Sequence, residues 1–526
     1  MSVKRYKAVA DNTITNAFES NLEVRATGSN IGAADSLEIF SIFAQANSSS
    51  YEKSRVIMKF PVVAADETGS ITSIATDRTN GKIPASGSVN FYLNLYNVRH
   101  DQTLPRQFYL VAAPISQSWE EGTGVDLDSY KDLTYDGTGS NWINAAAGTT
   151  WKVADEDGTL VVTQGGSYLS GTQMGAATDR YDEFNYVAYF DQGTEDLSID
   201  ITGLVEQWIK GTGNSGYANY GLGLLLTASQ ESGSERSYYT KRFSARSSEY
   251  FFKRPVIEAR WDSTKKDHRG SFILSSSART GDDNLNTLYL YNYERGQLKN
   301  LYHPQGEVSG TIYVEVYTSA SAGTQVTTTP NMIVTGGYVE TGVYSASFAV
   351  ASSSAVFYDR WFSGSTDTIP GEATTVVSYH TGSFKPKAYD SSGYYEIPEY
   401  VTNITNLKSQ YHDTELSRFR LFTRQRNWNP TIYTVASSNI ETSIVEDAYY
   451  KIYRVVDDYP VIDYGTGSLN HTRLSYDVSG SYFDLDMQLL EPGYAYGIKF
   501  VYYLNGSYQE QPETFEFRVD KNNSNV

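Results

Sequence analysis

Alternation of apolar and polar residues with a period of two constrains the fold of this chain more than any other feature. Within residues 89–96, Val89, Phe91, Leu93 and Leu95 fall on one side and Asn90, Tyr92, Asn94 and Tyr96 on the other. Successive side chains of a strand point to opposite faces, so such a run buries one face and wets the other. The pattern recurs at Val56, Met58 and Phe60, at Leu222, Leu224 and Leu226, at Ile312, Val314 and Val316, and at Phe515, Phe517 and Val519. Turn-forming clusters such as DGTGS at 136–140 and TGNSG at 212–216 separate these runs. Many short strands between such turns predict antiparallel β-sandwiches rather than βαβ units. One segment departs from the pattern. Thr202 can cap a short helix near 203–210, in which Leu204 meets Trp208 and Val205 meets Ile209, and Lys210 with Gly211 closes it.

At 526 residues the chain exceeds what one core can fill, and units of roughly 100–200 residues predict about three domains. A boundary is expected at 262–270, where the strand-like PVIEARW of 255–261 gives way to KKDHR at 265–269. A second is expected between Lys385 and Tyr400, where Pro386 and Pro398 flank a polar stretch. The expected domains are therefore 1–262, 270–390 and 400–526. No internal repeat of 20–50 residues is visible, which argues against a solenoid or propeller.

Little chemistry is legible. The chain has no cysteine, so disulfides, thiolate metal sites and cysteine nucleophiles are excluded. The histidines His100, His268, His303, His380, His412 and His471 lack the i+2 or i+4 partners of metal sites, and no G-x-S-x-G elbow is present. Residues 211–216 spell G-x-G-x-x-G but follow the expected helix instead of opening one, which reads as a turn. Glu120 and Glu121 are adjacent, and on a strand they would face opposite ways. A glycosidase acid pair is thus not expected there, and the predicted arrangement puts Trp119 in the core and both acids in water. Asp126, Asp128 and Asp132, and Asp155 with Asp157, have spacings seen in calcium loops without the full EF-hand pattern, and solvated loops are the plainer reading. No enzyme, metal or cofactor is expected.

A net charge of −19 opposes binding to nucleic acid or anionic membrane. The N-terminus lacks the apolar core of a signal peptide, and no apolar stretch reaches the roughly 18 residues of a membrane span, so synthesis in the cytoplasm is expected. Against the acidic background, Arg418, Arg420, Arg424 and Arg426 would share one strand face with Phe422. This candidate interaction stripe could dock an acidic partner or nucleic acid, or it could protect an edge strand or pair with neighbouring acids. The 44 tyrosines present a similar choice between sugar stacking, subunit contacts and ordinary half-wet strand positions.

Several pieces occur in a telling order: ADNTI at 10–14, SRVIMKF at 54–60, SWEE at 118–121, LSIDIT at 197–202 running to Trp208, NYGL at 219–222 and RPVI at 254–257. Together they resemble the DNRLRE-type β-sandwich, a jelly-roll relative of carbohydrate-binding modules. The resemblance covers about residues 8–261 and departs from the usual pattern in a long insert at 122–191, onto which no ligand surface carries over. LEPGYAY at 490–496 resembles the corner before a late strand of immunoglobulin-like sandwiches, where a tyrosine ties the corner to the backbone. The whole chain, rich in Tyr, Ser and Gly and acidic, resembles large virion proteins of marine T4-like tailed phages. These resemblances imply an all-β protein, with a jelly-roll-like N-terminal sandwich and immunoglobulin-like C-terminal ones. The implied role is a non-enzymatic structural component of a tailed-phage virion, its partners other virion proteins and copies of itself. The alternative implied role is a carbohydrate-binding adhesin that contacts a host surface glycan.

Overall fold

The computed structural model describes residues 2–63, 72–99, 106–125, 138–154, 159–169, 184–232, 237–304, 306–321, 323–351, 356–364, 376–389, 399–427 and 442–522. The chain divides into two units, Ser2–Trp261 and Asp262–Val526, with the boundary at the start of the expected charged segment. Both are built from antiparallel sheets, and the architecture is that of tandem β-sandwiches.

In the first unit, strands Val3–Lys7, Val256–Arg260, Asn90–Leu95 and Leu197–Asp200 form a four-stranded sheet in that order. Facing it is a seven-stranded sheet containing Ala10–Thr15, Ser36–Phe43, Tyr51–Lys59, Phe108–Pro114, Tyr186–Phe190, Leu222–Leu226 and Ser237–Ser244. The alternation now has its physical cause. Phe91, Leu93, Leu95 and Ile257 enter one core from the first sheet, and Leu37, Val56, Met58, Leu110, Leu222 and Leu224 enter it from the second. The helix Thr202–Lys210 seals this core with Leu204, Val205 and Trp208. Thr202 is its first residue and not its cap. Ile201 occupies the cap position, and the Thr202 hydroxyl instead accepts from the Phe91 amide at 2.8 Å and donates to Asp200 at 2.6 Å. Gly211 closes the helix at φ +67°, a left-handed conformation that a side chain would strain.

The seven-stranded sheet is also apolar on its other face. Ile14, Ile57, Ala113 and Ile115 pack there against Trp142, Ala145, Trp151 and Tyr168, all delivered by the segment that follows Pro114. The expected insert therefore supplies a cover for this sheet through Trp142, Ala145, Trp151 and Tyr168, and an edge strand of it through Tyr186–Phe190. Gly223 makes room for it, since a Cβ at that position would lie 2.0 Å from the Tyr168 ring. Arg55 clasps the cover from below, donating to the Gly165 carbonyl at 2.8 Å and to both oxygens of buried Glu231 at 3.1 and 2.6 Å.

The second unit starts with one continuous sheet in the order Asn286–Tyr291, Val343–Val350, Val334–Glu340, Thr311–Tyr317, Phe357–Ser363, Val377–Phe384. Phe348 and Phe384 lie four strands apart in it, a span of roughly 19 Å if the sheet were flat. Their ring centroids are 6.0 Å apart, so the sheet rolls over its core of Leu288, Val314, Tyr344 and Trp361. The expected boundary between 385 and 400 falls largely on 390–398, which lie outside the described residues.

The same unit continues with two sheets. Tyr400–Ile404, Leu416–Gln425, Gly480–Asp486 and Ser475–Asp477 make one, and Gln410–His412, Phe515–Asp520, Ala495–Leu504, Ala448–Arg454 and Tyr459–Ile462 the core of the other. Only Gln410–His412 runs parallel to its neighbour among these pairings. Phe419 and Phe483 from the first sheet stack against Tyr450 and Phe517 from the second, with centroids 4.2–5.8 Å apart. The expected corner is present: buried Tyr496 donates its hydroxyl to the Glu491 carbonyl at 2.7 Å.

Candidate functional site

The arginine stripe lies on Leu416–Gln425, whose Phe419 and Leu421 point into the core while Arg418, Arg420, Phe422 and Arg424 point out. This strand pairs on both sides, with Tyr400–Ile404 and Gly480–Asp486, so it is a central strand and the edge-protection reading does not apply. Register puts Arg418 opposite Asp484, and two hydrogen bonds of 2.7 and 3.0 Å join them. Arg420 reaches diagonally to Asp477 with bonds of 3.0 and 2.9 Å. Both guanidinium groups lie over the Tyr482 ring, 4.4 and 5.3 Å from its centroid. Donating to Asp484 pushes the Arg418 guanidinium further up. Burial alone would raise the Asp484 carboxyl, yet the bonds from Arg418 prevail and hold it below the usual range. Further along, Arg426 pairs with Glu399 at 3.2 Å in open solvent, and Arg424 donates to the neighbouring Gln425 carbonyl at 3.4 Å. The positive charge at Arg418 and Arg420 is thus largely met within the sheet.

The acids of the first unit are similarly engaged. Glu120 is exposed, as expected, but Glu121 is not simply in water. It accepts from Arg246 and from the Asp11 amide, the latter at 2.8 Å. Asp11 in turn accepts from the Arg246 amide at 2.6 Å, and burial pushes its carboxyl up to about 7. The network pins the start of the insert to the opening strand. Trp119 is partly buried and donates its indole N–H to the Tyr220 carbonyl at 2.8 Å. Lys241, fully buried, gives its ammonium protons to Asn97 Oδ1, the Gly193 carbonyl and the Glu195 carbonyl at 2.6–3.0 Å, and burial lowers its ammonium to about 8. Among the described residues no group of three or more His, Asp or Glu side chains could hold a metal ion. The calcium-like clusters at Asp126, Asp128 and Asp132 and at Asp155 and Asp157 lie outside the described residues.

One concave site in the first unit was missed by sequence reasoning. A depression of about 370 Å³ is lined by Ser116, by Leu169 of the insert and by Thr212, Ser215, Tyr217 and Tyr220 of the turn after the helix. This is the G-x-G-x-x-G run, now seen as the wall of a pocket. Its shape is braced: the Tyr217 amide donates to the Gln207 carbonyl at 3.1 Å, and Asn219 Nδ2 donates to the Phe60 carbonyl at 2.9 Å. Among the described residues that line it, none is charged. Aromatic faces with hydroxyls and no charge suit an uncharged, polyhydroxylated ligand.

Among the described residues of the first unit, apolar side chains are exposed in two places on or beside the insert. Tyr109, Val187 and Tyr189 stand on the outer face of the paired strands Phe108–Pro114 and Tyr186–Phe190, 46%, 60% and 50% exposed, with the two tyrosine rings 4.9 Å apart. Tyr186–Phe190 is an edge of the seven-stranded sheet. On the small hairpin of the insert, Leu160, Val161 and Val162 are exposed on both faces of their strand.

Fold and surfaces together define an all-β protein of tandem antiparallel sandwiches. No protein-family model matches the chain, and no curated protein matches it. Among solved structures it is similar to the FN1–FN3 domains of chicken CNTN1, at 10% identity over 58% of this chain and 81% of that one, with a TM-score of 0.14. A likeness that slight carries no functional argument.

Proposed function

We propose that this chain is a non-enzymatic contact protein, a structural component of a tailed-phage particle whose sheet edges pack against other virion proteins and against copies of itself. The observation that carries the contact role is the Tyr109–Val187–Tyr189 ladder. Large apolar side chains gathered on an edge strand suit a docked surface better than a solvated one. The described polar clusters support the same reading, because their charges are spent on internal pairs. The assignment to a phage particle is supported by the sequence resemblance and goes no further than it. The test is incorporation. Intact particles should contain the protein at fixed stoichiometry, and Tyr189→Asp should lower its incorporation at least tenfold while its melting temperature stays within a few degrees. Recovery of the protein only from the soluble lysate would count against the proposal.

A second reading, a glycan-binding adhesin, is favoured by the Tyr217–Tyr220 pocket. It expects neutral glycans to bind on an array and Tyr217→Ala or Tyr220→Ala to abolish the signal. A flat response across a broad array would remove it.

A further inference from the structure

Charged segments between sandwiches usually act as linkers, and residues 262–270 were expected to hold a domain boundary. Within the Asp262–Val526 unit the chain here does the opposite. Lys265 and Asp267 exchange backbone hydrogen bonds with Tyr476 at 3.0 and 3.1 Å, so the segment adds itself in parallel to the strand Ser475–Asp477. Four residues later it has crossed to the rolled sheet. The Phe272 carbonyl accepts from the Lys387 amide at 2.8 Å, and the Leu274 amide donates to the Lys387 carbonyl at 2.9 Å.

Side chains of the segment also reach one sandwich or both. Arg269 donates two hydrogen bonds of 2.7 Å to Asp359, a carboxylate with 0% exposure in the rolled sheet, which also accepts from Trp361 Nε1 at 2.6 Å. His268 joins both bodies through one ring. Its Nδ1 accepts from the Thr287 amide of the rolled sheet at 3.1 Å, so the proton sits on Nε2, which donates to the Tyr476 hydroxyl of the following sandwich at 2.9 Å. Lys265 pairs with Glu340, and its amide donates to Ser475 Oγ at 3.0 Å, again one contact on each side.

We propose that residues 265–274 form a strap that couples the two sandwiches of this unit into one cooperative body, so that neither opens without the other. Releasing either sandwich would break the strap's hydrogen bonds on that side and leave the other half of each shared contact unpaired. For Arg269 that means Asp359 left buried without its cation, which is far costlier than losing an exposed pair. The coupling goes beyond the contact role proposed above and holds whatever the particle is.

Native-state hydrogen exchange on the full chain, in rising sub-denaturing urea, tests it. Amides in the rolled sheet (Leu288, Val314), in the following sandwich (Phe419, Ile452) and in the strap (Asp267, Leu274) should converge on one opening isotherm. Arg269→Ala should split that isotherm in two and lower protection at Asp267 and Leu274 by about a hundredfold or more. His268→Gln, which can still accept from Thr287 and donate to Tyr476, should keep it single. Two separate isotherms in the wild-type protein, with strap amides exchanging first, would overturn the proposal even if the alanine variant fails to fold. An unsplit isotherm in Arg269→Ala would overturn it as well.

Discussion

The two units attach extra chain to their sheets by different physics. In the first, the insert is held mainly by apolar burial: Trp142, Trp151 and Tyr168 build a second core on the outer face of a sheet whose inner face already covers another core. In the second, the strap at 265–274 buries little apolar surface beyond Phe272 and is held by backbone pairing and directed side-chain bonds. Apolar burial is strong and indifferent to register, so a cover of irregular loops suffices. Hydrogen bonds are individually modest but fix geometry, and that suits a segment which must meet two sandwiches at defined points.

The largest expected effect tests the first half of that contrast. Trp151 is fully buried, and its indole N–H donates to the Asn141 carbonyl at 2.8 Å. Trp151→Ala should cost about 3–5 kcal/mol, seen as a drop in the melting transition of the Ser2–Trp261 unit with the other transition unmoved. A loss below about 1 kcal/mol would show that the cover is not held by its core.

Acid should separate the units next. Glu258 is buried between Arg5 and Arg260, each 2.6 Å away. Burial would raise its carboxyl, but the two arginines prevail and hold it at about 2, against 4.5 for a free glutamate. A depressed folded pKa contributes stability that is present above about 4.5 and lost as pH falls towards 2, on the order of 3 kcal/mol in all. The strap's Asp267 has the opposite sign. Burial, only partly offset by Arg269, pushes it up to about 6, so its contribution is fully present below about 4 and lost as pH rises through 6. Unfolding between pH 6 and 2.5 should therefore show Glu258→Gln removing part of the first unit's acid sensitivity. Asp267→Asn should leave the second unit's stability less dependent on pH between 4 and 6. Identical pH profiles for variant and parent would break the assignment in either unit.

Much of this fold was legible because half-buried strands write their geometry into alternate residues. The strands at 89–96, 222–226, 312–316 and 515–519, the helix near 203–210 and the Tyr496 corner each stand where local pattern put them. The second core was not read, although its trace is there. Val56, Ile57 and Met58 are apolar without interruption, as are Ala112, Ala113, Pro114 and Ile115, which is what a sheet covered on both faces requires. The boundary at 262 was legible and the strap beyond it was not: KKDHR has a linker's composition, and only tertiary partners distinguish a solvated charge from Arg269 facing Asp359. The Tyr217–Tyr220 pocket joins segments some fifty residues apart, beyond the reach of any local motif.

The smallest expected effect concerns the arginine face, where the structure sets solvent-exposed pairing against the buried pairing of Glu258. The Arg420 and Asp477 side chains are 32% and 17% exposed, and those of Arg418 and Asp484 are 35% and 22%. Water screens such pairs and much of the Coulomb gain is spent on ordering two long side chains, so a double-mutant cycle on Arg420→Ala and Asp477→Ala should give a coupling of about 0.5–1 kcal/mol. Raising the salt to about 1 M should shrink it further, because the screening length then falls to roughly 3 Å. A coupling above about 2 kcal/mol that ignores salt would mean the Tyr482 ring shields these guanidinium groups as effectively as a core does, and this face would then belong with the buried networks of the first unit.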